Sequence, residues 1–285
     1  MPVPGASDLT APDWLGASRR IVTGLGEMLA AHPSTAQRAV VVGRGEGGDR
    51  TLVIDKEAED LIFAELGKLH DGGARFTALS EERGEVDFGG AGVRVVIDPI
   101  DGSMNAKRGL SPFAVSIAVA DGPTMADVFF AFVADLTHGE TWTATRGGGA
   151  QLDGEALVGP ELERRNRAGL LELIAIESAY PHRLADRGPA IGLVAHRVRM
   201  FGSMAFALCQ LAAGRVDGMA TLWQARSVDV AAAQLIVRES GGHVAFTAFE
   251  DPLGAPLDLV GTSPVVAARS ATGLAQMATL PSSAE

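Results

Sequence analysis

Val93-Arg94-Val95-Val96-Ile97-Asp98-Pro99-Ile100-Asp101-Gly102-Ser103-Met104-Asn105 is the stretch whose reading decides the fold. An apolar, β-branched run predicts a buried strand that ends in Asp98. Pro99 fixes φ and removes a backbone donor, so the chain leaves the strand in a preset direction. Gly102 permits close backbone approach, and Ser103 suits the N-cap of a short helical turn through Asn105. Two carboxylates three residues apart at a strand mouth can face one point. Oxygen ligands of this kind suit a hard cation such as Mg²⁺, and amides at a helix start suit an anion such as phosphate. The competing reading is an Asx-rich turn, which Asp, Pro and Gly also favour.

The 285 residues suffice for one large domain or two lobes. Only 5% of residues are aromatic, so the core must rest on Ala, Val, Leu and Ile. A net charge of -11 argues against a nucleic-acid or anionic-membrane surface. A phosphate would therefore meet local cations rather than a broadly basic face. The lone Cys209 excludes an intramolecular disulfide and reads as a small core residue. The opening residues lack a signal-peptide pattern, and no apolar run reaches membrane-spanning length. The expectation is a soluble cytoplasmic protein.

Working outward, residues 11–32 carry one helical stripe of Trp14, Leu15, Ala17, Ile21, Leu25, Met28 and Leu29. Val40-Val41-Val42 and residues 50–54 read as strands around Gly43-Arg44-Gly45-Glu46-Gly47-Gly48. Those glycines contain the letters of a dinucleotide fingerprint. That motif must open a helix, however, and a Gly-rich loop between strands is a hairpin. Asp55 is placed as the N-cap of a helix running to about His70. A strand over residues 75–80 ends in Glu81-Glu82, so a second strand end carries acids. Residues 113–120, 127–133 and 140–145 predict an antiparallel meander, with a tight hairpin at 147–154. Residues 157–168 read as a link. Beyond it, strands over 170–176, 197–200, 216–222 and 243–247 alternate with helices over 203–213, 229–240 and 263–277, an α/β pattern.

Asp229, in Ser227-Val228-Asp229-Val230-Ala231-Ala232, is a third acidic site and equally an N-cap candidate. Glu81, Asp98, Asp101 and Asp229 together form a cluster that a multivalent cation would neutralise. Without one, the carboxylates repel and take up protons. The six histidines are scattered without zinc-ligand spacing.

Ser80-Glu81-Glu82, Asp98-Pro99-Ile100-Asp101-Gly102-Ser103 and Val228-Asp229-Val230-Ala231-Ala232 followed by Gly241-Gly242 resemble the inositol monophosphatase family in order and spacing. These are Mg²⁺-dependent, lithium-sensitive phosphatases, a superfamily that includes fructose-1,6-bisphosphatases. The Ser80-Glu81-Glu82 form and the Asp49-Arg50-Thr51 hairpin look like the archaeal-type branch, which accepts both inositol monophosphate and fructose 1,6-bisphosphate.

The resemblance implies an α/β (α+β) fold, a layered αβαβα sandwich of two lobes forming one catalytic unit. An N-terminal α+β lobe, residues 1–160, would carry Glu81 and the 98–103 segment. A C-terminal α/β lobe, residues 161–285, would carry Asp229. Glu81, Asp98, the Ile100 carbonyl, Asp101 and Asp229 would bind two or three Mg²⁺. Ser103 would orient the attacking water with Asp55 as its partner, Glu81 would share in catalysis, and the Gly102 and Ser103 amides would hold phosphate. Arg199 and Asp217 are candidates for substrate contact, against readings as a surface ion pair and a turn cap.

The implied activity is hydrolysis of a small polyol or sugar phosphate, inositol 1-phosphate first, by a protein often found as a homodimer. Alternatives are fructose 1,6-bisphosphate, 3′-phosphoadenosine 5′-phosphate, histidinol phosphate or NADP as substrate, a dinucleotide-dependent enzyme, or an inactive ligand-binding homologue. Val228 stands where inositol-specific members carry Trp, and Thr221 where they carry Glu, which weakens the claim on inositol.

Overall fold

The computed structural model describes residues 12–44, 50–260 and 263–280. Helix α1 (Trp14–Ala31) opens with the Asp13 carboxylate accepting the Gly16 amide at 2.8 Å. It buries Ala17, Ile21, Leu25 and Leu29, the expected stripe. Each fully buried Ile or Leu stabilises by about 1.5–3 kcal/mol relative to an exposed one. A short α2 (Thr35–Arg38) precedes strands β1 (Val41–Arg44) and β2 (Arg50–Leu52), which pair antiparallel. The glycine segment 45–49 lies outside the described residues, but its flanks form a hairpin rather than a strand leading into a helix. Helix α3 (Val53–Asp71) begins two residues before Asp55. Asp55 is thus its third residue, and its carboxylate reaches back to accept the Leu52 amide at 3.0 Å.

Strand β3 (Phe76–Ser80) lies between the two halves of one long, bent strand, β4 (Gly84–Asp101). Residues 84–89 run antiparallel to β3, Thr77 facing Asp87. The chain then turns at Gly89 and Gly92, both at positive φ, and residues 94–97 run parallel to β3 with Ser80 facing Ile97. The second half is buried on both faces and alternates: Val96 faces one core, Val95 and Ile97 another. Helix α4 (Ser103–Arg108) follows, and its N-cap is Gly102 at φ +93°, not Ser103. Strands β5 (Ala114–Ala120), β6 (Val128–Asp135), β7 (Thr141–Thr145), β8 (Gly149–Leu152) and β9 (Glu155–Ala156) complete a seven-stranded sheet as the expected meander. Its last turn uses Asp153 and Gly154, both at positive φ.

The second sheet has five strands: β10 (Ile174–Glu177), β11 (Val198–Arg199), β12 (Gly218–Thr221), β13 (His243–Phe246) and β14 (Val265–Ala268), in the order β11-β10-β12-β14-β13. Helices α5 (Pro181–Val194), α6 (Met204–Ala212), α7 (Ser227–Glu239) and α8 (Ala271–Met277) connect or follow them. Two differences from expectation appear here. Helix α5 was not anticipated, because Gly188-Pro189 in its interior reads as a breaker. The single helix expected over 263–277 is instead strand β14 and helix α8. The β-branched pair Val265-Val266 is fully buried and pairs antiparallel with β12 and β13, so sheet pairing overrides the helical pattern of its alanines.

Three apolar cores define the layers. One joins α1 and α3 to the seven-stranded sheet. The second lies between the sheets and holds α6 and α7, including the buried Cys209 thiol. The third joins α5 and α8 to the outer face of the five-stranded sheet. Helix, sheet, helix pair, sheet, helix is the αβαβα sandwich the resemblance implied. Among the described residues, no helix is long and apolar enough to cross a membrane.

Candidate metal and phosphate site

Register assembles the site. Because Ser80 faces Ile97 across parallel strands, Glu81 and Asp98 leave the sheet side by side. The β4–β5 ladder is interrupted between Asp98 and Asp101, where Pro99 offers no donor. The Asp98 carboxylate accepts the Ile100 amide at 3.0 Å, holding this turn. Helix α7 crosses the same sheet from the inner layer and brings Asp229. Asp229 is the third residue of α7, not its N-cap, and it accepts the Arg226 amide at 3.2 Å. One oxygen each from Glu81, Asp98 and Asp229 lie within 4.8 Å of one another.

The electrostatics follow from burial and crowding. Asp98 is held well above the usual carboxylate range by burial and then by Glu81, Asp101 and Asp229. Burial raises Glu81 to about 7 against the pull of Arg226. Burial and the Asp229 charge raise Asp101 to about 7. The Arg226 guanidinium lies among them, donating to Glu81 Oε1 at 2.7 Å and Asp229 Oδ1 at 3.0 Å. Burial opposes its charge, but the Asp229 and Glu81 carboxylates outweigh that and hold it protonated.

Asp101 stands apart from the tight trio. Its carboxylate caps α6, accepting the Ser203 hydroxyl at 2.6 Å, the Ala205 amide at 2.7 Å and the Met204 amide at 3.3 Å. Gly102 then comes so near the Gly202 carbonyl that a Cβ would lie 3.0 Å from that oxygen. Glu177 at the end of β10 braces the same turn, accepting the Phe201 and Gly202 amides at 2.8 and 2.9 Å. Burial pushes its carboxyl up to about 8.

A cleft of about 240 Å³ opens over these groups, lined also by Ile100, Ser103, Ser178 and Tyr180. Ser178 sits at φ +51°, a conformation L-residues avoid, at the cleft wall. Beside it a smaller cavity of about 20 Å³ is bounded by Asp55, Glu81, Asp98 and Ser103; that is room for about one water. Asp55 Oδ1 faces burial with no hydrogen-bond partner among the described residues, and burial raises its pKa to about 7. The expected direct bond from Ser103 to Asp55 is not made; the two share that cavity instead.

The trio, Asp101, Ile100, Gly102, Ser103 and Asp55 therefore converge. Two substrate candidates do not. Asp217 precedes β12, which pairs parallel with β10 so that Gly218 faces Ile174 and Thr221 faces Glu177. It thus lies at the opposite strand ends from Glu177, on the order of 10 Å away. Its buried carboxylate accepts Arg164 Nε at 2.9 Å and the Leu173 amide at 3.1 Å. Arg199 is exposed on edge strand β11, and its guanidinium donates to the adjacent Val198 carbonyl at 3.0 Å. Thr221 is fully buried and accepts the Val265 amide through its hydroxyl at 2.9 Å, so it offers no group to the cleft. The residue reading passed over Glu177, Arg226 and Ser203. Glu177 carried the same signal as Asp98, an acid ending the apolar run of residues 173–176. Arg226 and Ser203 carried none beyond their positions at helix starts.

The donor set consists of carboxylate oxygens, which suits Mg²⁺, Ca²⁺ or Mn²⁺ rather than a soft metal. The raised carboxyls and the unpartnered Asp55 oxygen fit a site that awaits positive charge. Within this layered αβαβα fold, such a cluster beside a Gly-Ser helix start can take a hard cation and an anion side by side.

The profile of the inositol monophosphatase family matches residues 13–281, and the chain belongs to that family. It is 31% identical over 242 residues to a fructose-1,6-bisphosphatase/inositol-1-monophosphatase of Methanothermobacter thermautotrophicus, covering 81% of this chain and 83% of that one. It is 36% identical over 211 residues to an inositol-1-monophosphatase of Mesorhizobium japonicum, covering 69% and 72%. The crystal structure of extragenic suppressor protein suhB from Bartonella henselae superposes with a TM-score of 0.76 at 26% identity, covering 93% of this chain and 97% of that one. The chain is accordingly a phosphoric monoester hydrolase of a family that is generally metal-dependent, and its acidic cluster can bind metal.

Proposed function

We propose that the protein hydrolyses a small polyol or sugar phosphate, inositol 1-phosphate foremost and fructose 1,6-bisphosphate next, with Mg²⁺ held by Glu81, Asp98, Asp101, Asp229 and the Ile100 carbonyl. The observation that carries this is the carboxylate trio, its oxygens within 4.8 Å of one another, at the foot of the cleft. Bound Mg²⁺ supplies Lewis-acid polarisation of the phosphate and acidifies a water. The Gly102 and Ser103 amides at the start of α4 take the phosphate oxygens. The one-water cavity positions a nucleophile between Ser103 and Glu81. Ser103 holds it by its hydroxyl, and Asp55, with a carboxyl at about 7, is poised to accept a proton near neutral pH. The negative charge of the substrate is met within the cleft, since the chain is acidic overall at -11. Cytoplasmic location, sensitivity to lithium and a homodimer belong to the same reading.

The test is phosphate release from inositol 1-phosphate, fructose 1,6-bisphosphate, 3′-phosphoadenosine 5′-phosphate, histidinol phosphate and NADP, with Mg²⁺ and with chelator. We expect Mg²⁺-dependent turnover of the first two and loss of at least about 100-fold in Asp98→Asn with the fold retained. Near-normal activity in that variant, or full activity in chelator, refutes the assignment.

A further inference from the structure

Arg226 is the residue at the carboxylate trio that hydrolysis of a phosphate leaves without a task. Its side chain forms a bracket: Nη1 donates to Glu81 Oε1 at 2.7 Å, Nη2 to Asp229 Oδ1 at 3.0 Å, and Nε to Asp229 Oδ2 at 3.3 Å. Glu81 and Asp229 are two of the three groups whose oxygens converge. We propose that Arg226 is a built-in counter-cation, seated on the metal-ligand carboxylates of the metal-free protein and exchanged for the incoming divalent ion. The inference rests on the metal-binding reading of Glu81, Asp98 and Asp229.

Charge requires some cation there. Buried carboxylates this close cannot all ionise unopposed. The guanidinium is the one cationic group seen hydrogen-bonded to two of the three among the described residues. It and a hard metal ion need the same lone pairs. Mg²⁺ coordinates oxygen at about 2.0–2.1 Å and demands near-octahedral placement of its ligands. Oxygens aimed into a planar guanidinium fork are aimed elsewhere, and two cations sharing the same two oxygens repel.

The backbone allows the exchange without moving. Arg226 is the N-cap of α7, and its amide donates to Asp229 independently of its side chain. The side chain retains 23% exposure, so it has a route out by χ rotation alone. Metal uptake is then a displacement: the apo site is spared carboxylate repulsion, and each ion bound must first release the bracket.

The experiment is calorimetric titration of the full chain with MgCl₂ at fixed ionic strength, with the metal-free Tm read alongside, for wild type, Arg226→Lys and Arg226→Gln. We expect Arg226→Gln to bind Mg²⁺ at least tenfold tighter, about 1.4 kcal/mol, and to melt lower than wild type in chelator, with Arg226→Lys between. Unchanged or weaker binding in Arg226→Gln overturns the exchange. Absence of Mg²⁺ uptake by wild type overturns the metal reading on which it rests. A second measurement covers a variant that fails to fold: the protected Nε–H resonance of Arg226 in wild type, identified by its absence from Arg226→Lys. Its shift or loss as Mg²⁺ saturates supports displacement, and a resonance unmoved at saturation refutes it.

Discussion

Asp101 does two jobs that pull against each other, and a pair of substitutions separates them. Its carboxylate receives the Ser203 hydroxyl and the Ala205 amide on Oδ2, and the Met204 amide more distantly on Oδ1 at 3.3 Å. It is also buried beside Asp229, which lifts its pKa to about 7. Asp101→Asn can present its carbonyl oxygen where Oδ2 stands, keeping both short bonds and placing the amide nitrogen at the weak third contact. Asp101→Ala leaves a buried amide and a buried hydroxyl without their acceptor, at about 1–3 kcal/mol each. In chelator, Ala should therefore fall about 2–6 kcal/mol below Asn. For a chain of this size that corresponds to roughly 3–10 °C in Tm.

The charge adds a pH signature. The folded pKa of Asp101 lies above its unfolded value of 3.8. The folded protein therefore binds more protons between those values, and the stability this confers is lost as pH rises through about 7. Asn never ionises, so Asp101→Asn should match wild type near pH 4 and be the more stable of the two at pH 8. Scanning calorimetry of the three proteins at both pH values, with phosphate release measured in Mg²⁺, is the assay. Equal Tm for Asn and Ala refutes the cap, and a wild type more stable than Asn at pH 8 in chelator refutes the electrostatic account.

Other expectations follow from the same geometry. Glu81, Asp55 and Glu177 also have carboxyls raised to about 7, 7 and 8, so metal-free protein should lose stability from about pH 4 to pH 8, and Mg²⁺ should flatten that decline in thermal melts; stability rising over that range without metal contradicts the carboxyl shifts. Gly102→Ala places a Cβ at φ +93° and 3.0 Å from the Gly202 carbonyl, and should cost about 1–3 kcal/mol and most of the activity, measured by melting and phosphate release; a neutral substitution removes the case for close approach. Asp217→Asn should lower Tm by weakening the buried link to Arg164 and Leu173 while leaving KM unchanged, and a rise in KM without loss of stability would return Asp217 to the substrate.

Much of the site was legible because acids at the ends of apolar runs are rare in surface strands and visible without coordinates. Asp98 and Glu81 announced themselves that way, Asp101 by its place in the turn after Asp98, and Asp229 by its place at a helix start. Their helix positions did not. Asp55 and Asp229 both looked like N-caps, yet each is a third residue reaching back to the cap amide, of Leu52 and of Arg226. Side-chain reach of one helical turn blurs that boundary in any sequence. The neighbourhood of Glu81 and Asp98 depends on β4 doubling back around β3, a register that Gly89 and Gly92 permit but do not specify. Helix α5 was hidden by its own Gly188-Pro189, and β14 by alanines that serve either structure. Asp217 lies at the opposite strand end from Glu177, and chemistry alone does not say to which end of a strand a side chain belongs.

The bonds that close the site span long stretches of chain. Asp101 meets Ser203 across 102 positions, and Glu81 meets Arg226 across 145. Contacts of that separation form only once distant segments have been brought together, and the loop-closure entropy must be met first. The carboxylate cluster is complete only when helix α7 has docked on the seven-stranded sheet. A cation that binds it recognises the finished molecule and nothing earlier. A divalent ion held there would act on the rate of unfolding, lengthening the life of a folded copy.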